Sequence, residues 1–279
     1  MIIRWNRIEA MNQKMTTQTK MTRRILLRVA YDGTNYHGWQ LQSNAATIEG
    51  ELNRALRALT GEEIVVTGAS RTDAGVHALG NVAVFDTTSR IPAEKFSYAL
   101  NQRLPEDIVI QSSKQVADDF HPRHCDCRKT YEYDILNRTF PLPAYRNTAY
   151  FLYGTLNIEA MRRACQAFLG EHDFASFCAA GAQVQTTVRT IYSLEVECRP
   201  LTEANVGSAD QLLTIRVKGN GFLYNMVRII AGTLVEVGRG HIKPEEVAGI
   251  IAAKDRAKAG PTAPARGLRL VEIEYRKNQ

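Results

Sequence analysis

From Arg23 the chain begins to alternate. Ile25, Leu27 and Val29 are apolar and their neighbours more polar, a period-two pattern that predicts a half-buried strand. A turn crowded with aromatics follows, Tyr31-Asp32-Gly33-Thr34-Asn35-Tyr36-His37-Gly38-Trp39-Gln40. The spacing then becomes helical. Ile48, Leu52, Ala55, Leu56 and Leu59 share one face, Thr47 stands as N-cap, Glu49 and Glu51 fill the first turn, and Gly61 lies beyond the end. Strands are predicted at 63–67 and 81–87, then a helix near 93–102 and a strand near 107–113. Strand, helix, strand, strand, helix, strand is the order of a ferredoxin-like or RRM-like split unit.

The second half repeats the scheme with larger loops. Tyr131, Tyr133 and Ile135 alternate along a strand at 128–137, and a loop with Pro141 and Pro143 leads to a helix over about 157–169. Long strands are predicted at 186–198 and 211–218, a helix from Phe222 to Val237, a shorter one after Pro244, and a last strand over Leu268–Tyr275. The expected class is α+β: two ferredoxin-like, RRM-like subdomains, 23–125 and 126–279, with antiparallel sheets side by side around a central basic cleft. Residues 1–22, with Arg4, Arg7, Lys14 and Lys20 and little periodic apolar pattern, are expected to form a flexible basic extension or to follow a mis-assigned start.

Between the strands at 63–67 and 81–87 lies Gly68-Ala-Ser-Arg-Thr-Asp-Ala-Gly-Val-His-Ala-Leu-Gly80, too small and polar to continue either one. Its glycines at 68, 75 and 80 are expected to supply backbone angles closed to other residues. They frame Arg71, Asp73 and His77, which read either as a turn with a surface ion pair or as a reactive carboxylate held in a fixed pose. The Phe222–Val237 helix is apolar almost all round, yet Arg228 sits in its middle. A buried guanidinium without partners costs several kcal/mol, roughly 3–5, so Arg228 needs acceptors. It forms either a structural core ion pair or the charge that keeps a catalytic carboxylate ionised and aimed, and Asp73 is the best candidate partner.

Composition narrows the field. The 279 residues are 44% hydrophobic and 23% charged, as in a globular protein, with no apolar run long enough to span a bilayer and no apolar block of a signal peptide. A net charge of +6 leans toward a polyanionic partner. The five cysteines, Cys125, Cys127, Cys165, Cys178 and Cys198, show no paired CxxC spacing, so reduced thiols in a cytoplasmic protein are expected. Asp118, Asp119, His121, His124, Cys125 and Cys127 cluster, but their spacing matches no common ligand pattern and no metal is expected. Arg123, Arg128 and Lys129 beside them read as a phosphate-contacting edge. Tyr31, Tyr36 and Trp39 are expected in the core rather than stacked on bases.

The ordered set of these stretches resembles the TruA family of tRNA pseudouridine synthases. The resemblance is carried by Tyr31-Asp32-Gly33…Tyr36…Gly38-Trp39-Gln40, Arg71-Thr72-Asp73-Ala74-Gly75-Val76-His77-Ala78, Asp119-Phe120-His121…Arg123 and Tyr131-Glu132-Tyr133. It continues through Phe174-Ala175-Ser176-Phe177, Val188-Arg189-Thr190-Ile191, Asn220-Gly221-Phe222…Met226-Val227-Arg228 and Ala259-Gly260-Pro261-Thr262-Ala263-Pro264…Gly267-Leu268. It implies isomerisation of uridine at positions 38, 39 and 40 of the tRNA anticodon stem-loop, by a homodimer using neither metal nor cofactor. It makes Asp73 the essential aspartate, Tyr131 the active-site tyrosine, Arg228 the arginine paired with the aspartate, and Arg71 a residue that displaces the target base. His77, Arg189, Phe222 and Leu268 fall in its substrate-binding stretches. Ser70, where many relatives carry glycine, is a departure. Two other readings make different predictions: an RNA-binding module would use exposed sheet aromatics, and a metal-dependent phosphodiesterase built on Asp73, His77, Asp119 and His121 would cut strands and fail in chelator.

Overall fold

The computed structural model describes residues 21–181, 184–201 and 210–276, so residues 1–20 of the expected basic extension lie outside the described residues. Strand β1 (Arg23–Tyr31) buries Ile25, Leu27 and Val29 as its alternation requires. Helix α1 (Ile48–Thr60) opens on Thr47, whose hydroxyl accepts the Gly50 N–H at 3.2 Å, and closes on Gly61 in the left-handed region. The expected strand at 63–67 shrinks to β2 (Thr67–Gly68). Ile64 and Val66 are buried, but the Val66 N–H goes to the side chain of Asn53 at 2.9 Å instead of to a strand neighbour. Strand β3 (His77–Thr87) starts four residues earlier than its pattern indicates. Helix α2 (Phe96–Asn101), entered through a 3-10 turn at Ala93–Lys95, and strand β4 (Ile108–Val116) complete the first half.

The second half holds β5 (Cys127–Asn137), β6 (Tyr150–Leu152), α3 (Ile158–Cys165), β7 (Gly170–Asp173), β8 (Val188–Pro200), β9 (Gln211–Gly219), α4 (Met226–Gly238), α5 (Val247–Ala253) and β10 (Leu268–Tyr275). The helix expected over 157–169 ends at Cys165, and Gly170, at φ 94°, turns the chain into β7. Helix α4 starts at Met226 rather than Phe222, because Asn225 takes a left-handed conformation with φ 60°. The four residues displaced from the helix form a loop instead.

The strands make one mixed sheet, ordered β4-β1-β3-β10-β5-β9-β8-β7, with β2 added to β3 and β6 to β5. Two runs of four share a pattern. In β4-β1-β3-β2 and in β10-β5-β9-β8, the first strand of the run's sequence pairs with the last and the third. The sheet is not wholly antiparallel as expected: β10 runs parallel to β3, pairing Arg269 with His77 and Leu270 with Ala78, and β6 runs parallel to β5. β2 takes the other part of the same β3 edge, at Val84 and Ala83, so β3 is the strand on which both halves meet. Arg269 of β10 also donates its Nε–H to Glu132 on its other neighbour, β5, at 2.9 Å.

Helix α4 is the most enclosed element, with eleven of its thirteen residues buried. Gly232 lets the Pro261 backbone lie against it; a Cβ there would fall 1.8 Å from the Pro261 carbonyl oxygen. Ala263 N–H then reaches the Arg228 carbonyl at 3.1 Å and Gly260 N–H reaches Thr233 Oγ1 at 2.9 Å. Gly232→Ala should therefore cost about 1–3 kcal/mol of stability, read as a lower urea midpoint at unchanged slope. A midpoint equal to that of the parent would show that this backbone moves freely.

Candidate active site

The Gly68–Gly80 loop is held carbonyl by carbonyl. Arg123 Nε–H donates to Gly68 O at 2.7 Å, Lys129 Nζ to Ala69 O at 3.0 Å, and Asn81 Nδ2 to Ser70 O at 3.0 Å. The Trp39 N–H donates to Thr72 O at 3.0 Å, and Val76 N–H to Asp73 O at 3.1 Å. Thr72 Oγ1 also meets the Tyr31 hydroxyl at 2.7 Å, which Asn81 Nδ2 reaches at 3.2 Å. A buried carbonyl without a partner is costly, and those of Gly68, Ala69 and Thr72 find theirs on Arg123, Lys129 and Trp39, outside the loop. Of the three glycines, only Gly75 uses a left-handed conformation, with φ 76°. Gly68 is needed for closeness instead, since a Cβ there would fall 2.3 Å from the Trp39 indole. Tyr31, Tyr36 and Trp39 are core residues, and the aromatic turn acts as the bed of the loop.

Above this bed opens a cleft of about 690 Å³, walled by the loop, by β5 and by the segment from Phe222 to Val227. Asp73 and Tyr131 face it together with Arg71, Phe222 and Leu268. Arg228 Nη1 stands 3.7 Å from Asp73 Oδ2. The guanidinium does not lie in pure hydrocarbon, as its place in an apolar helix suggests, but is 17% exposed. Its orientation is fixed elsewhere: Nε–H donates to Ala263 O and Nη1 to Asn225 Oδ1, both at 2.7 Å. Burial lifts the Asp73 carboxyl above its ordinary value, and the Arg228 charge pulls it part of the way back. Burial also pushes the Tyr131 phenol up to about 12, against the weaker opposing effect of the Ser70 hydroxyl beside it. Tyr131 meets Phe222 edge to face, with centroids 5.2 Å apart.

Two residues expected at the substrate do not line this cleft. His77 lies in a second cavity of about 530 Å³ with Asp32, Leu79, Val109 and Arg269. Its ring is taken up there, Nδ1 accepting the Gly33 N–H at 3.1 Å and Nε2 meeting the carbonyls of Asn147 and Arg266 at 2.8 and 3.2 Å. It pins the loop's far end and does not reach the cleft, because the chain has already entered β3 at that point. Arg189 stands beside Gly221, its guanidinium turned onto the Thr186 and Val188 carbonyls. Of the expected phosphate-contacting edge, Arg123 and Lys129 line the cleft, whereas Arg128 stacks over Tyr192 at 4.4 Å. Strand alternation separates Arg128 from Lys129. His121 and His124 stack ring on ring at 3.9 Å, and among the described residues no group of three His, Cys, Asp or Glu converges as metal ligands would. All five cysteines are unpaired.

Sequence reasoning missed Asn81 and Asn225 and noted Ser70 only as a departure. Asn81 is fully buried in a strand of hydrophobic residues, a signal visible beforehand; the left-handed Asn225 gives none beyond the nearby glycines.

Comparison with known proteins gives one consistent result. The family described as tRNA pseudouridine synthase matches residues 28–124 and 164–276. A tRNA pseudouridine synthase A from Ruminiclostridium cellulolyticum is 51% identical over 253 residues, covering 91% of this chain and all of the relative. Proteins of the same name from Thermoanaerobacter sp. and Acetivibrio thermocellus are each 49% identical over equal spans.

Replacing Asp73 by asparagine removes a poorly solvated charge. The carboxyl's value is higher folded than unfolded, so its ionisation opposes folding increasingly as pH rises from the unfolded value through the folded one. Asp73→Asn should melt at or above the parent's temperature at pH 7, with the gap closing as pH falls through the carboxylate range. A clearly lower melting temperature at pH 7 would mean that the attraction to Arg228 outweighs burial.

Proposed function

The chain belongs to the tRNA pseudouridine synthase family, and from that premise we propose that it converts uridine to pseudouridine at positions 38, 39 and 40 of the tRNA anticodon stem-loop, with Asp73 as the essential carboxylate. The observation that carries this reading is the pairing of Arg228 at 3.7 Å with Asp73, which lines a cleft that also holds Tyr131 and Arg71. The two halves, 23–125 and 126–279, are read as two subdomains that contribute one charge each. The enzyme is read as a cytoplasmic homodimer.

Isomerisation breaks the N1–C1′ glycosidic bond, turns the uracil in place and joins C5 to C1′, after which C5 loses its proton and N1 ends with one, so that composition is unchanged. Asp73 serves as nucleophile at C1′ or at C6, or removes the C2′ proton on a glycal route; all three need an ionised carboxylate beside the nucleoside. Arg228 favours that ionised form while Ala263 and Asn225 hold its guanidinium off to one side. At 3.7 Å the ion pair leaves the carboxylate oxygens free to meet substrate. Tyr131 and Phe222 supply two aromatic faces for the detached base, and Tyr131, with its phenol at about 12, enters as a neutral hydroxyl near pH 7. The target uridine leaves its stack at a cost of about a few kcal/mol, which Arg71, exposed at the cleft, offsets by filling the vacated place.

Asp73→Asn is the direct test: it should bind undermodified tRNA about as tightly as the parent and form no pseudouridine, whereas a modest loss of turnover would overturn the assignment. Tyr131→Phe should bind and turn over slowly or not at all, and parental rates would reduce Tyr131 to packing. The acid limb of kcat/KM should report Asp73 above the ordinary carboxylate value, and Arg228→Met should move that limb to higher pH by removing the charge that opposes burial. An acid limb unmoved by Arg228→Met would separate the arginine from the carboxylate's ionisation.

A further inference from the structure

We propose that Lys129 is a positioning residue with two duties: its ammonium holds the loop that carries Asp73 and binds a backbone phosphate of the RNA in the cleft. This rests on the reading that tRNA enters that cleft. Lys129 and Tyr131 are two apart on β5 and both line it. An ammonium has three N–H groups. One goes to Ala69 O at 3.0 Å, and no carboxylate lies within ion-pair distance of Lys129 among the described residues.

Its charged neighbours make the position worse rather than better. Arg123 and Arg189 repel it, Arg71 repels Arg123, and none of these four cations has an ion pair among the described residues. Burial and these like charges together pull the Lys129 ammonium below its ordinary value. A half-buried cation among cations is unfavourable unless an anion joins it. Ser70, next in sequence to Ala69 and also lining the cleft, is 5% exposed, with its hydroxyl beside the Tyr131 phenol. The two ammonium N–H groups not given to Ala69 suit the non-bridging oxygens of one phosphate.

The double duty follows from connectivity. Ala69, whose carbonyl Lys129 holds, is four residues before Asp73 in a loop whose Gly68, Ser70, Thr72 and Asp73 carbonyls are also bound. A phosphate drawing on the same ammonium therefore acts on the loop, and loss of Lys129 reaches the rate as well as the affinity. A purely structural clamp would lower stability or rate without changing how binding depends on salt.

Two measurements test this. First, tRNA binding is titrated against salt for the parent, Lys129→Met and Lys129→Arg, with single-turnover rates at saturating tRNA. The log–log slope should flatten by about 0.7–0.9 in Lys129→Met, the share of one phosphate contact. Its rate should fall about tenfold or more, and Lys129→Arg should restore the slope. Second, the parent protein is given anticodon stem-loops carrying one neutral methylphosphonate at each linkage flanking the target uridine. One linkage should weaken binding about tenfold in the parent and leave Lys129→Met indifferent. An unchanged slope in folded Lys129→Met, or a parent indifferent to every neutral linkage, overturns the proposal. The second arm stands even if Lys129→Met fails to fold. The unsubstituted stem-loop separates the two readings: if the parent forms no pseudouridine on it, the proposed function falls and this inference with it; if it does, a negative result concerns Lys129 alone.

Discussion

A carboxylate with too little solvent and a guanidinium that is not allowed to close on it form the constraint on which this structure turns. Asp73 comes from a loop in the first half of the chain and Arg228 from a helix in the second, and they stop 3.7 Å apart. The gap persists because Ala263 and Asn225 hold the guanidinium by shorter bonds. An arginine free to form a tight bidentate pair would satisfy the carboxylate and lower its value strongly. Here burial dominates and the value rises. The proposed reactive group is thus kept under-bonded by the same contacts that keep its counter-charge near.

The rest of the fold can be understood as the means of holding two such groups still. Strand β3 shares one edge between β2 and β10, so the strand that follows the Asp73 loop is also the seam between halves. On the other side, Gly232 admits the 260–263 backbone against α4, and that backbone supplies the carbonyl that orients Arg228. Adding a side chain at position 232 is therefore an act at the cleft, although Gly232 does not line it.

The loop shows how a short polar stretch becomes rigid without secondary structure of its own. Its carbonyls are bound in turn by Arg123, Lys129, Asn81 and the Trp39 amide. Two of these four are cations that face the cleft, so the apparatus that shapes the loop is also the apparatus that meets an anion. Electrostatics and loop geometry are coupled here through shared atoms.

Periodicity alone determined the register of elements: β1, α1, β5, β9 and β10 follow from local spacing and from Thr47 and Gly61 as caps, because these depend on residues only a few positions apart. The pairing of Asp73 with Arg228 was legible too, since a charge in an apolar helix demands a partner. What local pattern could not contain was decided by contacts between distant segments. The strand at 63–67 was lost to Asn53, the helix at Phe222 was cut back by a left-handed Asn225, and β10 joined β3 in parallel. His77 was drawn into a different cavity, and Lys129 was parted from Arg128 by the pleat of a single strand. The parallel joining of β10 to β3 and the capture of His77 by Arg266 depend on which backbone groups find partners once the halves are together, and a hydrogen bond across more than a hundred residues leaves no periodic trace in either segment.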